Sequence, residues 1–235
     1  MNFDIAFMGE ALKSAIQYIP VTFQLAGISF LISLLIGIAI AVIRVFNVKV
    51  LACVLEIIIT VLKAVPMVLI LYILFFVMTD VFDSLAVSLD LTIRSKDLST
   101  NFIGITALSV FGTVIISETI RGAFMAIDYG QYEAGYSIGL TKLQTMRRII
   151  LPQSILVATP VLCNNLIALV KASSITYMIT IMDIMNGALK AATKNYAYLE
   201  AYIAAAIIYW IICLSIEQLA RALEIRMGKF RKRML

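Results

Sequence analysis

The chain has no histidine, only four prolines and three cysteines, and little charge: 14% of its 235 residues are Asp, Glu, Lys or Arg. Each shortage excludes something. Without histidine, the usual zinc and general-base constellations are missing. Cys53, Cys163 and Cys213 each lie inside an apolar run, which reads as packing thiols rather than a disulfide or a metal site. No glycine-rich phosphate loop of the GxxxxGK[ST] type occurs, so the chain is not itself an ATPase. A soluble domain carries about a quarter charged residues. Here 62% of residues are hydrophobic and the mean hydropathy is +1.01, a composition that belongs in a bilayer. The net charge of +5 does not point to nucleic acid, because the cations gather at the ends of apolar runs with no interleaved aromatic residues. Asp4 and Glu10 precede the first apolar run, so no cleavable leader is expected.

What is present is a series of apolar runs long enough to cross a membrane, which needs about 20 helical residues. They predict an all-α integral membrane protein, one transmembrane domain over 1–235, with five spans near 19–43, 50–78, 101–120, 149–171 and 197–216. Pro20 places the start of the first span close to Ile19. Its small residues Ala26, Gly27, Ser29, Ser33, Gly37 and Ala39 suit close helix contact. The second span carries Glu56 and Lys63, seven apart and hence on one face, which points them to a protein interior or the headgroups. Pro66 should break or kink that span. Residues 80–100 are polar, and Val87, Leu89, Leu91 and Ile93 alternate with polar residues, which predicts an extended segment on the outer surface.

The stretch from Ile149 through Leu189 is apolar apart from Lys171 and Asp183. As one helix it would be about 60 Å long, twice the hydrocarbon core. A break near Lys171–Ser174 is therefore required. Positive charge falls at Arg44 and Lys49, at Arg121, Lys142, Arg147 and Arg148, and along the tail from Arg221 to Arg233. These share one side of the membrane only if 172–189 does not span. The result is five spans, N-terminus outside and C-terminus cytoplasmic.

Between two apolar runs stands a polar island, Glu133–Pro152. Gly130, Gly135 and Gly139 fall within ten residues, and Tyr129, Tyr132, Ala134, Tyr136, Ile138, Leu140 and Leu143 recur at roughly helical spacing. A short amphipathic helix just outside the membrane is suited to press on a second protein. Glycine at 139 permits a positive φ and a sharp turn between two short helices, and Arg147 and Arg148 would anchor the height of the loop at the headgroups.

The spacing Glu133-Ala134-Gly135, Gly139-Leu140, Ile149, Leu151-Pro152 resembles the EAA loop of bacterial ABC importer permeases, departing from it only at Gly135, where alanine is usual. Glu118, Arg121-Gly122, Gly130-Gln131 and Gln153 are similar to the flanks of that loop in the polar amino-acid uptake branch. Lys171-Ala172-Ser173-Ser174 resembles that branch's KDTS stretch with the acid replaced, and Lys63 with Pro66 its RGTP element. The resemblance covers nearly the whole chain. It implies a type I ABC importer permease fold in the bacterial cytoplasmic membrane, with 121–148 as the cytoplasmic coupling loop. It also implies a second permease chain (a homodimer is favoured), two nucleotide-binding ATPase subunits and an external substrate-binding protein. ATP and Mg would act on the ATPase, with no cofactor on this chain. Glu133 would pair a basic residue of the ATPase.

For the substrate pathway the candidates are Ser173, Ser174, Lys171, Glu118 and Pro66. Two readings stand open at the break: hydroxyls and freed backbone groups that meet an amino acid, or Ser173 as a helix cap with Lys171 snorkelling. Glu118 reads more readily as an interfacial or interhelical partner of Arg121 than as a substrate contact. Loss of an acid at Ala172 favours neutral or dipolar amino acids over cationic ones, and the Glu200–Trp210 run is similar to cystine permeases. The alternative class is a stand-alone secondary transporter or channel, which would need Glu56 and Glu118 as ion-coupling carboxyls.

Overall fold

The computed structural model describes residues 3–193 and 195–234, with side chains as far as Arg226, and among these all regular structure is helical. A helix α1 (Ile5–Ile16) precedes the first span. The apolar-run criterion does not separate it, although its signals are present. The Asp4 carboxyl accepts the Phe7 N–H at 3.0 Å as an N-cap, and Phe7, Ala11 and Ala15 repeat every four residues on the buried face. After a short link, α2 (Ile19–Val45) starts where Pro20 predicted.

The expected second span is two helices. α3 (Lys49–Ala64) stops at Val65, and α4 (Met67–Ser88) begins after Pro66; both linking residues are extended, with ψ of 127° and 139°. Proline lacks the N–H that would continue the ladder and its ring crowds the preceding turn. At 16 residues α3 reaches about 24 Å, short of the hydrocarbon core, so the span is α4 and not 50–78.

α4 also corrects the reading of 80–100. It runs on to Ser88 and takes in Val87, so no strand forms there. Asp90 turns the chain with φ +52°, and Asp83 accepts the Ser95 N–H at 2.6 Å and hydroxyl at 2.7 Å, folding 89–99 back onto the helix. An alternation of four residues was too short to outweigh an uninterrupted helical pattern.

Helix α5 (Thr100–Met125) is the centre of the molecule, with thirteen buried residues, and packs against α2, α4 and α8 (Leu151–Ser173). α2 and α5 run parallel along a seam of small residues. The Ser29 hydroxyl donates to the Ile105 carbonyl at 3.1 Å and the Ser33 hydroxyl to the Ser109 carbonyl at 2.9 Å. A methyl at Gly112 would collide with Ser33, and one at Gly37 with Ile116 and the Ser117 backbone. In lipid such close approach supplies the dispersion contact that holds helices together. Of the small residues picked out in α2, Gly27 and Ala39 take no part in the buried seam.

α8 is followed by a 3-10 turn (Ser174–Ile179), by Thr180 with φ +64°, and by a short helix α9 (Ile184–Ala192). The last helix α10 (Tyr198–Met234) extends well beyond the expected 216. α1, α9 and α10 pack together at one end. Five helices or helical runs are long and apolar enough to span: Ile19–Val45, Met67–Ser88, Thr100–Met125, the run Lys142–Ile179 and Tyr198–Arg226. Leu69, Ile73, Phe76 and Val77 on α4 point outward, which suits a protein whose solvent on that side is hydrocarbon.

Candidate functional site

α5 ends at Met125 and the chain leaves the bundle into α6 (Gly130–Ser137) and a one-turn helix α7 (Lys142–Thr145). Between them Gly139 takes φ +82°, the left-handed conformation expected of it. Its N–H donates to the Tyr136 carbonyl at 2.9 Å and the Leu140 N–H to the Gly135 carbonyl at 3.1 Å, closing the end of α6. On the far side Thr141 caps α7: its hydroxyl accepts the Gln144 N–H while the Gln144 side chain accepts the Thr141 N–H. The knuckle is thus hydrogen-bonded at both ends.

Pro152 shapes the entry to α8. It has no N–H for the Arg148 carbonyl, and the turn Met146–Ile150 widens to a π-helix, with the Leu151 N–H reaching the Met146 carbonyl. Gln153 donates to the Gln131 side chain at 3.3 Å, tying the start of α8 to α6. Glu133, Ala134 and Pro152 are exposed, Leu140 is half-buried, and Tyr129, Ile138, Leu143 and Leu151 present apolar surface outward. Gly135 is the one buried residue of α6, and a side chain there would meet buried Thr145. A cleft of about 780 Å³ opens between the loop and the ends of α2 and α5, lined by Phe46, Phe124, Tyr129, Tyr132, Tyr136 and Lys142 among others. Burial, and then neighbouring Tyr136, push the Tyr132 phenol above its ordinary value, so it stays a neutral hydroxyl.

Glu118 lies seven residues before the end of α5, roughly 10 Å, at the loop's end of the bundle. Its carboxylate receives Arg44 of α2, Arg121 at 3.0 Å and Lys63 of α3 at 3.8 Å, and Arg44 also faces Glu56 at 3.6 Å. Glu56 and Lys63 both face this cluster, but through different partners, Arg44 and Glu118, and both stay largely exposed. Both oxygens of Glu118 are taken, which places it in an interhelical ion-pair cluster. Arg44, the residue at the centre, reads in the sequence only as the end of a run. Its side chain is 4% exposed, and a buried guanidinium requires such partners.

The α-helix does end at Ser173, within the expected break at Lys171–Ser174, but it passes into a 3-10 turn and does not unwind there. Ser173 and Ser174 are still helical, and their hydroxyls donate to the Val170 and Lys171 carbonyls at 2.8 and 2.7 Å. The backbone instead tightens to 3-10 and opens at Thr180–Asp183. Ser173 does not cap the following helix; Asp183 does, accepting the Asn186 N–H at 2.9 Å. Ser173 is buried and Lys171 exposed, while Pro66 is exposed at the α3–α4 break. The structure therefore joins the loop residues into one site but does not gather all five pathway candidates.

Five helices or helical runs long and apolar enough to span, a parallel helix seam and a structured loop outside the bundle define a multi-pass membrane protein. The chain belongs to the family of binding-protein-dependent transport system inner membrane components, matching it over residues 9–229. It is 31% identical over 229 residues to a probable amino-acid ABC transporter permease, PatM, of Vibrio harveyi, covering 97% of this chain and 98% of that one. It is 27% identical to the L-cystine transport system permease TcyL of Bacillus subtilis, covering 99% and 95%. A crystal structure of an amino acid ABC transporter with histidines matches with a TM-score of 0.81 at 26% identity, covering 96% of this chain and all of that one. The protein is accordingly a permease subunit of an amino-acid ABC importer, a translocation component and not an enzyme.

Proposed function

We propose that this chain is the membrane half of an ATP-driven importer in the bacterial cytoplasmic membrane, N-terminus outside and tail inside, and that the α6–α7 knuckle is where a nucleotide-binding ATPase engages it. Two copies of the chain would pair with two ATPase subunits, and an external binding protein would deliver the amino acid. ATP and Mg act on the partner, and this chain binds neither. The observation that carries the reading is Gly139: a left-handed glycine between two capped short helices, holding Glu133 and the apolar Ile138 and Leu143 outward. Closure of the ATPases on ATP would carry the docked knuckles together, and the rigid link through Gln153 and the π-turn would pass the movement into α8. A self-sufficient secondary carrier needs carboxyls free to bind its coupling ion, whereas Glu118 and Glu56 are held by cations.

For the cargo we favour a neutral or dipolar amino acid, cystine first. Ala172 offers no charge, and the cystine permease among the relatives supports the preference. Proteoliposomes containing this chain, its ATPase and its binding protein should take up labelled cystine with ATP, and excess neutral amino acids should compete where arginine does not. Equal competition by arginine would remove the preference.

A further inference from the structure

Asp183 is fully buried and far from the ion-pair cluster, with no cation paired to it among the described residues. A carboxyl in such a place needs hydrogen bonds, and it has them from two elements. It accepts the Asn186 N–H at the start of α9, and it accepts the Tyr209 hydroxyl of α10 at 3.0 Å. The neighbouring Ile184 N–H donates to the hydroxyl of buried Thr22 on α2 at 3.3 Å, and the Asn186 side chain donates to the Ile181 carbonyl at 2.9 Å. Buried Ser173 ends α8, and α2 and α10 each pack on both α8 and α9. α2, α8, α9 and α10 therefore meet at one polar node, directly after the left-handed Thr180 that ends the 3-10 turn.

We propose that Asp183 is a positioning residue for transport: with Tyr209 it fixes the 3-10 turn Ser174–Ile179, and so sets where Ser173 and Ser174 stand along the substrate path. This rests on the reading of the chain as an amino-acid importer permease. The capping bond alone would satisfy α9. The bond from Tyr209 does something further, because it locks the loop between α8 and α9 to a different spanning helix. Freed from it, the segment after the left-handed hinge at Thr180 loses the carboxylate tie that holds it to α10.

The test uses the full complex in proteoliposomes, carrying Ser174→Cys in a chain whose Cys53, Cys163 and Cys213 are replaced by alanine. The rate at which a charged thiol reagent modifies position 174 should change several-fold in Asp183→Leu and Tyr209→Phe. In Asp183→Asn it should stay within about twofold, because the amide oxygen still accepts the Asn186 N–H while the amide NH2 donates to the Tyr209 hydroxyl oxygen, keeping the tie to α10 with its direction reversed. Uptake by the corresponding variants in the Ser174 background should show a KM raised about tenfold with kcat within about twofold. Should Asp183→Leu fail to assemble, Tyr209→Phe alone decides. Unchanged labelling and KM in assembled Tyr209→Phe would overturn the proposal, as would an Asp183→Leu that lowers only the yield of complex. Absence of ATP-driven uptake by the parent complex would instead sink the permease reading, while the labelling rates still report whether the node holds the turn.

Discussion

Glu118 and Gly139 show two ways in which one residue matters here. Glu118 neutralises a guanidinium that is almost wholly buried, and removing one member of such a pair leaves the other uncompensated. Glu118→Ala should destabilise the detergent-solubilised chain by about 2 kcal/mol, less than for a deep pair because Glu118 is itself partly exposed. Lys63 is 64% exposed and 3.8 Å away, so Lys63→Ala should change the melting temperature hardly at all. Equal effects of the two would contradict the assignment of Arg44 as the buried charge. Gly139 acts through its backbone: a Cβ there meets nothing within 4 Å, so the cost of any other residue is conformational. Valine at φ +82° should cost about 1–2 kcal/mol locally and bend the knuckle, whereas asparagine enters the left-handed region more readily. Uptake per ATP hydrolysed should collapse in Gly139→Val and largely survive in Gly139→Asn.

At the scale of elements, the α2–α5 seam is the contact least able to absorb change. Gly112→Val would drive a branched side chain into Ser33, and loss of monodisperse protein on gel filtration is expected, with Gly27→Ala, which faces open space, as the harmless control. This scale also shows what the sequence made legible. Pro20 and Pro66 marked helix boundaries correctly because a missing N–H acts locally and whatever the tertiary setting. The knuckle was legible because a left-handed glycine needs no distant partner. The continuation of α4 through 80–88 was hidden by its charges, which are solvated beyond the bilayer and no longer obey the apolar criterion used to find spans. α1 was missed because its few apolar residues merge with the run after it. The side-chain partners of Arg44 and Asp183 on other helices lie as far as 74 positions away in the chain, a distance that no local pattern encodes.

At the scale of the whole molecule, two polar regions sit toward opposite ends of an apolar bundle. The knuckle and the ion-pair cluster occupy one end. Asp183, Thr22 and Tyr209 form the node nearer the other, where α1, α9 and α10 pack together. α8 runs between them, beginning at the π-turn and ending at the 3-10 turn. A displacement imposed on the knuckle therefore has one continuous helix through which to reach the turn at Ser174. The measurement that tests this most directly is ATP hydrolysis and substrate uptake recorded together in the reconstituted complex, comparing the parent chain with Glu133→Lys. We predict that the variant inserts and folds but loses both uptake and the ATP hydrolysis coupled to it. Uptake that continued at the parent rate in Glu133→Lys, or in vesicles with no ATPase present, would contradict the account.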